Sequence, residues 1–128
     1  WNRISKVKKM TKGQLEAKIS EALMKFEKEF MGRGTIETVT CIIKDAVLVR
    51  LKGVLTPAEE QLAKTLEGAE SIKEIRIQLL EGAMALLRNI IVEITGCRIK
   101  SLHSYISVKS GERIIIFVLD RNLEIKFI

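Results

Sequence analysis

The run Arg113-Ile114-Ile115-Ile116-Phe117-Val118-Leu119 does most to restrict how this chain folds. Its apolar residues do not alternate with polar ones, so the pattern predicts a strand buried on both faces, at the centre of a sheet. The run pairs with Ile99–Val108 across the turn Lys109-Ser110-Gly111-Glu112 to give one β-hairpin. A second hairpin lies upstream. Thr38–Ile43 alternates with Val39, Cys41 and Ile43 on one face. Lys44-Asp45 turns the chain, and Val47, Val49 and Leu51 resume the alternation as far as Gly53.

Helical patterns surround the hairpins. Thr11-Lys12-Gly13-Gln14 reads as a T-x-x-Q capping box, and Leu15, Ile19, Ala22, Leu23, Phe26 and Phe30 then recur at helical spacing. This helix stops at Phe30-Met31-Gly32-Arg33-Gly34, where Gly32 is the expected left-handed C′ residue. Thr56-Pro57-Ala58-Glu59 starts a short second helix ending near Gly68. A third helix is expected from about Glu70 to Thr95, stopped by Gly96, and roughly 37–39 Å long at 1.5 Å per residue. Its second half, Met84–Ile94, is apolar on most sides, which predicts a homodimer interface along helix 70–95. The order α-β-β-α-α-β-β specifies an α+β domain: a four-stranded antiparallel sheet of two β-hairpins with helices packed on one face.

The net charge of +6 is unevenly placed. Residues 1–12 carry five basic side chains and no acid, so the other 116 residues are close to balance. Residues 1–9 therefore read as a basic, flexible extension and residues 10–128 as a single domain. A balanced domain surface argues against nucleic acid as the partner. Neither Gly82–Leu87 nor Ile114–Leu119 approaches the ~20 apolar residues that cross a bilayer, so no membrane span is expected. The expected location is cytoplasmic, with peripheral contact at the inner face of a membrane as an option. Few amides beside abundant Glu, Lys and Ile lean toward a thermophilic source.

Candidate chemistry is sparse. Cys41 and Cys97 form no CxxC pair and read as small core residues, with a disulfide as the alternative. One histidine and two scattered cysteines supply no four-ligand zinc site, and no cofactor is expected. His103 shares a strand face with Ser101 and Tyr105, either as a polar cluster or as a sheet face that is solvated or lies at an interface. The Gly32-Arg33-Gly34 loop is a candidate anion cradle, but it leaves a helix C-terminus, where the dipole opposes an anion. Arg50 and Lys52 form a modest basic patch. Arg33, Arg50, Lys52 and His103 are thus the candidate ligand or partner contacts, and no catalytic set is expected.

Taken together, MTKGQLE, FEKEFMGRG, VLVRLKGVLTPAEEQLAKT, EITG, SLHSYIS and SGERIIIFVLDRNLE resemble the MpsC family over about residues 10–124. The family is named for a sodium-translocating, membrane-potential-generating system, with membrane subunits linked to cation movement and bicarbonate uptake. The resemblance implies a soluble accessory or regulatory protein beside membrane transporter subunits, without catalytic activity of its own. The residues alone leave a small-ligand or anion-binding regulatory module as the alternative.

Overall fold

The computed structural model describes residues 10–127, so the basic extension 1–9 lies outside the described residues. The elements are α1 (Lys12–Phe30), β1 (Glu37–Ile43), β2 (Ala46–Lys52), α2 (Pro57–Leu62), α3 (Leu66–Gly82), α4 (Met84–Thr95), β3 (Ile99–Ser107) and β4 (Glu112–Leu119). A 3-10 helix, Leu123–Phe127, follows. The four strands form one antiparallel sheet in the order β1-β2-β4-β3. The expected α+β architecture and element order hold, with the third helix divided in two.

β4 is central, as its apolar run predicts, but its two faces differ. Arg113, Ile115, Phe117 and Leu119 are buried, whereas the alternate residues Ile114, Ile116 and Val118 are only half-buried. The buried side meets Val47, Val49 and Leu51 of β2 in register and receives α1 and α4. Among the described residues, no helix covers the other side. Register puts Val39, Cys41 and Ile43 on that open side, while Thr40 and Ile42 point inward. Cys41 is therefore exposed rather than a core residue, and Cys97 is buried; both are free thiols.

Both caps read from the sequence form. Gln14 N–H donates to Thr11 Oγ1 at 3.1 Å, and Thr11 N–H donates to Gln14 Oε1 at 2.9 Å. α1 buries Leu15, Ile19, Leu23 and Phe26, but Phe30 lies 51% exposed, and Met31 turns inward instead. Gly32, at φ +92°, then redirects the chain as a left-handed residue. α1 also guards the outer edge of the sheet, where Glu16 Oε2 accepts the Ile42 N–H at 2.9 Å.

The long helix departs most from expectation. It begins at Leu66 under a Thr65 cap, and Gly68 lies inside its first turn rather than ending the preceding helix. Gly68 is needed for close approach, since a Cβ there would overlap the Leu62 carbonyl oxygen. The helix then breaks at Ala83 (φ −105°, ψ 7°), whose N–H reaches back to Leu80 O at 3.0 Å. Glycine at position 82 weakens the helix just there. The break lets α4 bury Leu87, Ile91 and Thr95 and set Leu86, Ile90 and Ile94 against the core. Much of the apolar surface expected to await a partner is thus covered within the chain. α3 buries only Ile72, Arg76 and Leu80.

Candidate functional site

One end of the sheet gathers most of the motif segments. Here β2 runs out through Gly53, β4 begins after Gly111, and the loop after α1 meets the start of α2. The Gly111 carbonyl accepts N–H bonds from both Gly53 (2.9 Å) and Val54 (3.1 Å), joining the two hairpins. Arg33 Nη1 donates to Leu55 O at 2.8 Å and lies 3.6 Å from Glu60. Arg33 therefore secures the loop to the α2 approach instead of standing free at a corner.

Beneath this junction lies a charged cluster that is almost wholly buried. Arg76 of α3 donates through Nε to Glu59 Oε2 (2.8 Å) and through Nη2 to Glu59 Oε1 (2.5 Å) and Val54 O (2.8 Å). Its Nη1 lies 3.5 Å from Glu27 Oε2 of α1, and Glu27 Oε1 lies 3.1 Å from Arg113 Nε of β4. Glu27, Arg76 and Arg113 are at most 1% exposed. Glu59 also closes the α2 capping box with Thr56, so one carboxylate serves both a helix start and the cluster.

Four charges here are balanced in sign, and burial acts on Glu27, Arg113 and Glu59. Burial pushes the Glu27 carboxyl above its ordinary range, against the pull of Arg113 and Arg76. Burial likewise draws the Arg113 guanidinium down, against Glu27. Glu59 is also pushed up by burial, but its bonds from Arg76 and Thr56 outweigh this and hold it below the usual carboxylate range. The cluster is thus an ion network that fastens α3 and α2 to α1 and the sheet.

Over the same junction opens a cleft of about 690 Å³, lined by Ile36, Lys52, Leu55, Ala63, Val108 and Gly111, with Glu37, Glu60, Lys64 and Lys109 also on its wall. Its volume falls in the range of small-molecule sites.

The candidate contacts read from the sequence do not converge. Arg33 lies at the junction, whereas Arg50, Lys52 and His103 lie on the open sheet face. Arg50 pairs with Glu112, and Lys52 lies 4.0 Å from Glu37, so the basic patch is compensated. Lys52 alone of these four also lines the cleft. His103 shares the open face with Ser101 and Tyr105, as alternation predicts, and its Nε2 lies 3.1 Å from Ser101 Oγ. Among the described residues no group of three His, Cys, Asp or Glu could hold a metal ion. No described helix is long and apolar enough to cross a membrane.

Sequence reasoning passed over Glu27, Arg76 and Arg113, although a signal existed. Glu27 continues the i+4 row of Leu15, Ile19 and Leu23, and Arg76 sits between Ile72 and Leu80 at the same spacing. Arg113 shares strand parity with Ile115, Phe117 and Leu119. A charge in phase with an apolar stripe marks a buried ion pair when a partner of opposite sign does the same.

Residues 11–121 match the family described as "Na+-translocating membrane potential-generating system (MpsC)". The chain belongs to the MpsC family. It is also 41% identical to "Uncharacterized protein YbcI" of Bacillus subtilis (strain 168) over 116 residues, covering 91% of this chain and 94% of that protein. "Uncharacterized protein YrhF" of the same organism is 24% identical over 106 residues, covering 82% of this chain and 87% of that protein. No solved structure matches the chain. The buried cluster, Arg33 and the cleft all lie within the stretch matched to MpsC.

Proposed function

We propose that this MpsC-family chain is an accessory or regulatory component of a membrane-potential-generating system and carries out no reaction itself. The match over residues 11–121 to a family described by that system carries the reading. The geometry supports it, because Glu27, Arg76, Arg113 and Glu59 face one another and act as a structural clamp. Such a body works by presenting surfaces, and its membrane contact would come through transporter subunits. The test is co-expression of the tagged chain with the membrane subunits of such a system. Retention of the subunits on the tag supports the reading; their absence from the eluate refutes it.

A second reading, a small-ligand or anion-binding regulatory module, is favoured by the cleft and the three lysines on its wall, Lys52, Lys64 and Lys109. Phosphate, bicarbonate and nucleotides should then raise the melting temperature, and Lys109→Ala should abolish the rise. An unchanged melting temperature with all three would dispose of this module.

A further inference from the structure

The structure assigns the open face of the sheet to a second copy of this chain, packed sheet against sheet. Strand register lays that face out in rows across β1, β2 and β4. One row is Ile43, Ala46 and Val118, and the next is Cys41, Leu48 and Ile116. Together they make an apolar block three strands wide. Val39 (47% exposed) and Ile43 (52%) lie bare at its edge. A continuous apolar area of this kind on one chain marks a contact surface.

Its occupant follows from width and charge. Four strands at about 4.8 Å spacing and seven residues at about 3.4 Å rise give a footprint of roughly 19 by 24 Å. A single partner helix, about 10 Å across, would cover two strands and leave the apolar block partly bare. A second four-stranded sheet covers it whole, in the aligned packing that twisted sheets adopt about 10 Å apart. Flat, that footprint is about 460 Å², and side-chain relief brings it toward the roughly 600–1,000 Å² that a standard interface takes from each partner.

The charges on this face point the same way. They gather toward one end as Glu37, Arg50, Lys52 and Glu112, two of each sign, already joined as Arg50–Glu112 and Lys52–Glu37. A face balanced in this way gives no advantage to an acidic or a basic partner and does not repel its own copy. α3 is the competing surface, with Leu66, Ile75, Ile77 and Leu79 exposed. There Glu74 and Gln78 separate Ile77 from the Ile75–Leu79 pair, and Leu66 stands about three turns from Ile77, so the apolar residues form no block as wide as that on the sheet.

Light scattering on the full chain should give twice the 14.5 kDa chain mass at tens of micromolar. Val39→Lys with Ile43→Lys should give a folded monomer by circular dichroism, while Ile75→Lys with Leu79→Lys should stay dimeric. Cys41 gives a second readout, because it lies between Val39 and Ile43 on this face and is exposed in the single chain. In the dimer it should react with a thiol reagent at least about tenfold more slowly than in the sheet variant. The assignment is overturned by a monomeric wild-type chain, by a dimer that only the α3 substitutions dissociate, or by unprotected Cys41. A monomer that floats with anionic vesicles through this face would overturn it in favour of a lipid surface.

Discussion

Replacing Arg76 by methionine tests whether the buried cluster holds the helical layer in place. Methionine keeps an apolar stem and deletes the guanidinium, so packing beside Ile72 and Leu80 is largely retained. Three hydrogen bonds disappear, one to Val54 O and two to Glu59. Glu27 is left with Arg113 alone. Removing one member of a buried ion network costs about 3–5 kcal/mol. Glu59 keeps some access to water, its side chain being 21% exposed, which places the expected cost near the lower end, about 3 kcal/mol. For 128 residues, about 2.1 cal/mol/K per residue gives an unfolding entropy of about 0.27 kcal/mol/K, so the melting temperature should fall by roughly 11 °C.

Urea titration followed by far-ultraviolet circular dichroism measures the cost. Pairing Arg76→Met with Glu59→Gln in a double-mutant cycle should give a coupling of about 1–2 kcal/mol. The penalty should also shrink in acid. Burial already raises the Glu27 carboxyl above 4.5, and losing Arg76 raises it further. A carboxyl raised in the folded state contributes stability that is complete below its unfolded value and lost as pH rises through its folded value. The variant should therefore be closest to wild type below about pH 4.5 and fall away above it. A cost under about 1 kcal/mol at neutral pH, the value of an exposed ion pair, would refute the reasoning.

Other substitutions probe separate links. Glu59 has the opposite sign: its lowered folded value gives stability that is present above about 4.5 and lost as pH falls. Glu59→Gln should therefore flatten the acid limb of a stability–pH curve, and an unchanged limb would contradict the assignment. Gly68→Ala should destabilise by about 1–3 kcal/mol through overlap with the Leu62 carbonyl, measured as a lower urea midpoint. A neutral result would place Leu62 elsewhere. Lys44 holds φ at +56° in the first hairpin turn, and its carbonyl accepts the Leu123 N–H. Lys44→Gly should leave that bond intact and raise stability by about 0.5–1 kcal/mol, or roughly 2–4 °C in melting temperature.

What the sequence made legible was local. The Thr11 and Thr56 caps, the Gly32 stop and the Lys44-Asp45 turn depend on residues within a few positions of each other. Errors arose where distant chain decides. Thr40, Ile42, Val39, Cys41 and Ile43 offer a strand with apolar groups on both sides, so parity alone did not reveal which side faces the helices. Gly68 looks like a helix stop until the Leu62 carbonyl is placed against it. Arg113 was readable as a strand residue, but its counter-charge comes from Glu27, 86 positions away. The four candidate contacts were chosen for their side-chain chemistry; strand register and local ion pairs then determined what they could meet.

The interruption at Ala83 also bears on folding kinetics. It separates α4, packed into the core by Leu87 and Ile91, from α3, which buries only Ile72, Arg76 and Leu80. α3 buries three side chains along 17 residues, whereas α4 buries three along 12 and sets Leu86, Ile90 and Ile94 against the core. α3 is therefore expected to dock after the transition state has formed around the sheet and its inner helices. Substitutions in α3 should therefore leave the refolding limb of a chevron plot nearly unchanged and speed unfolding, whereas those in α4 should slow refolding. One residue outside the helical ladder thus divides a continuous stretch of sequence into an early part and a late part.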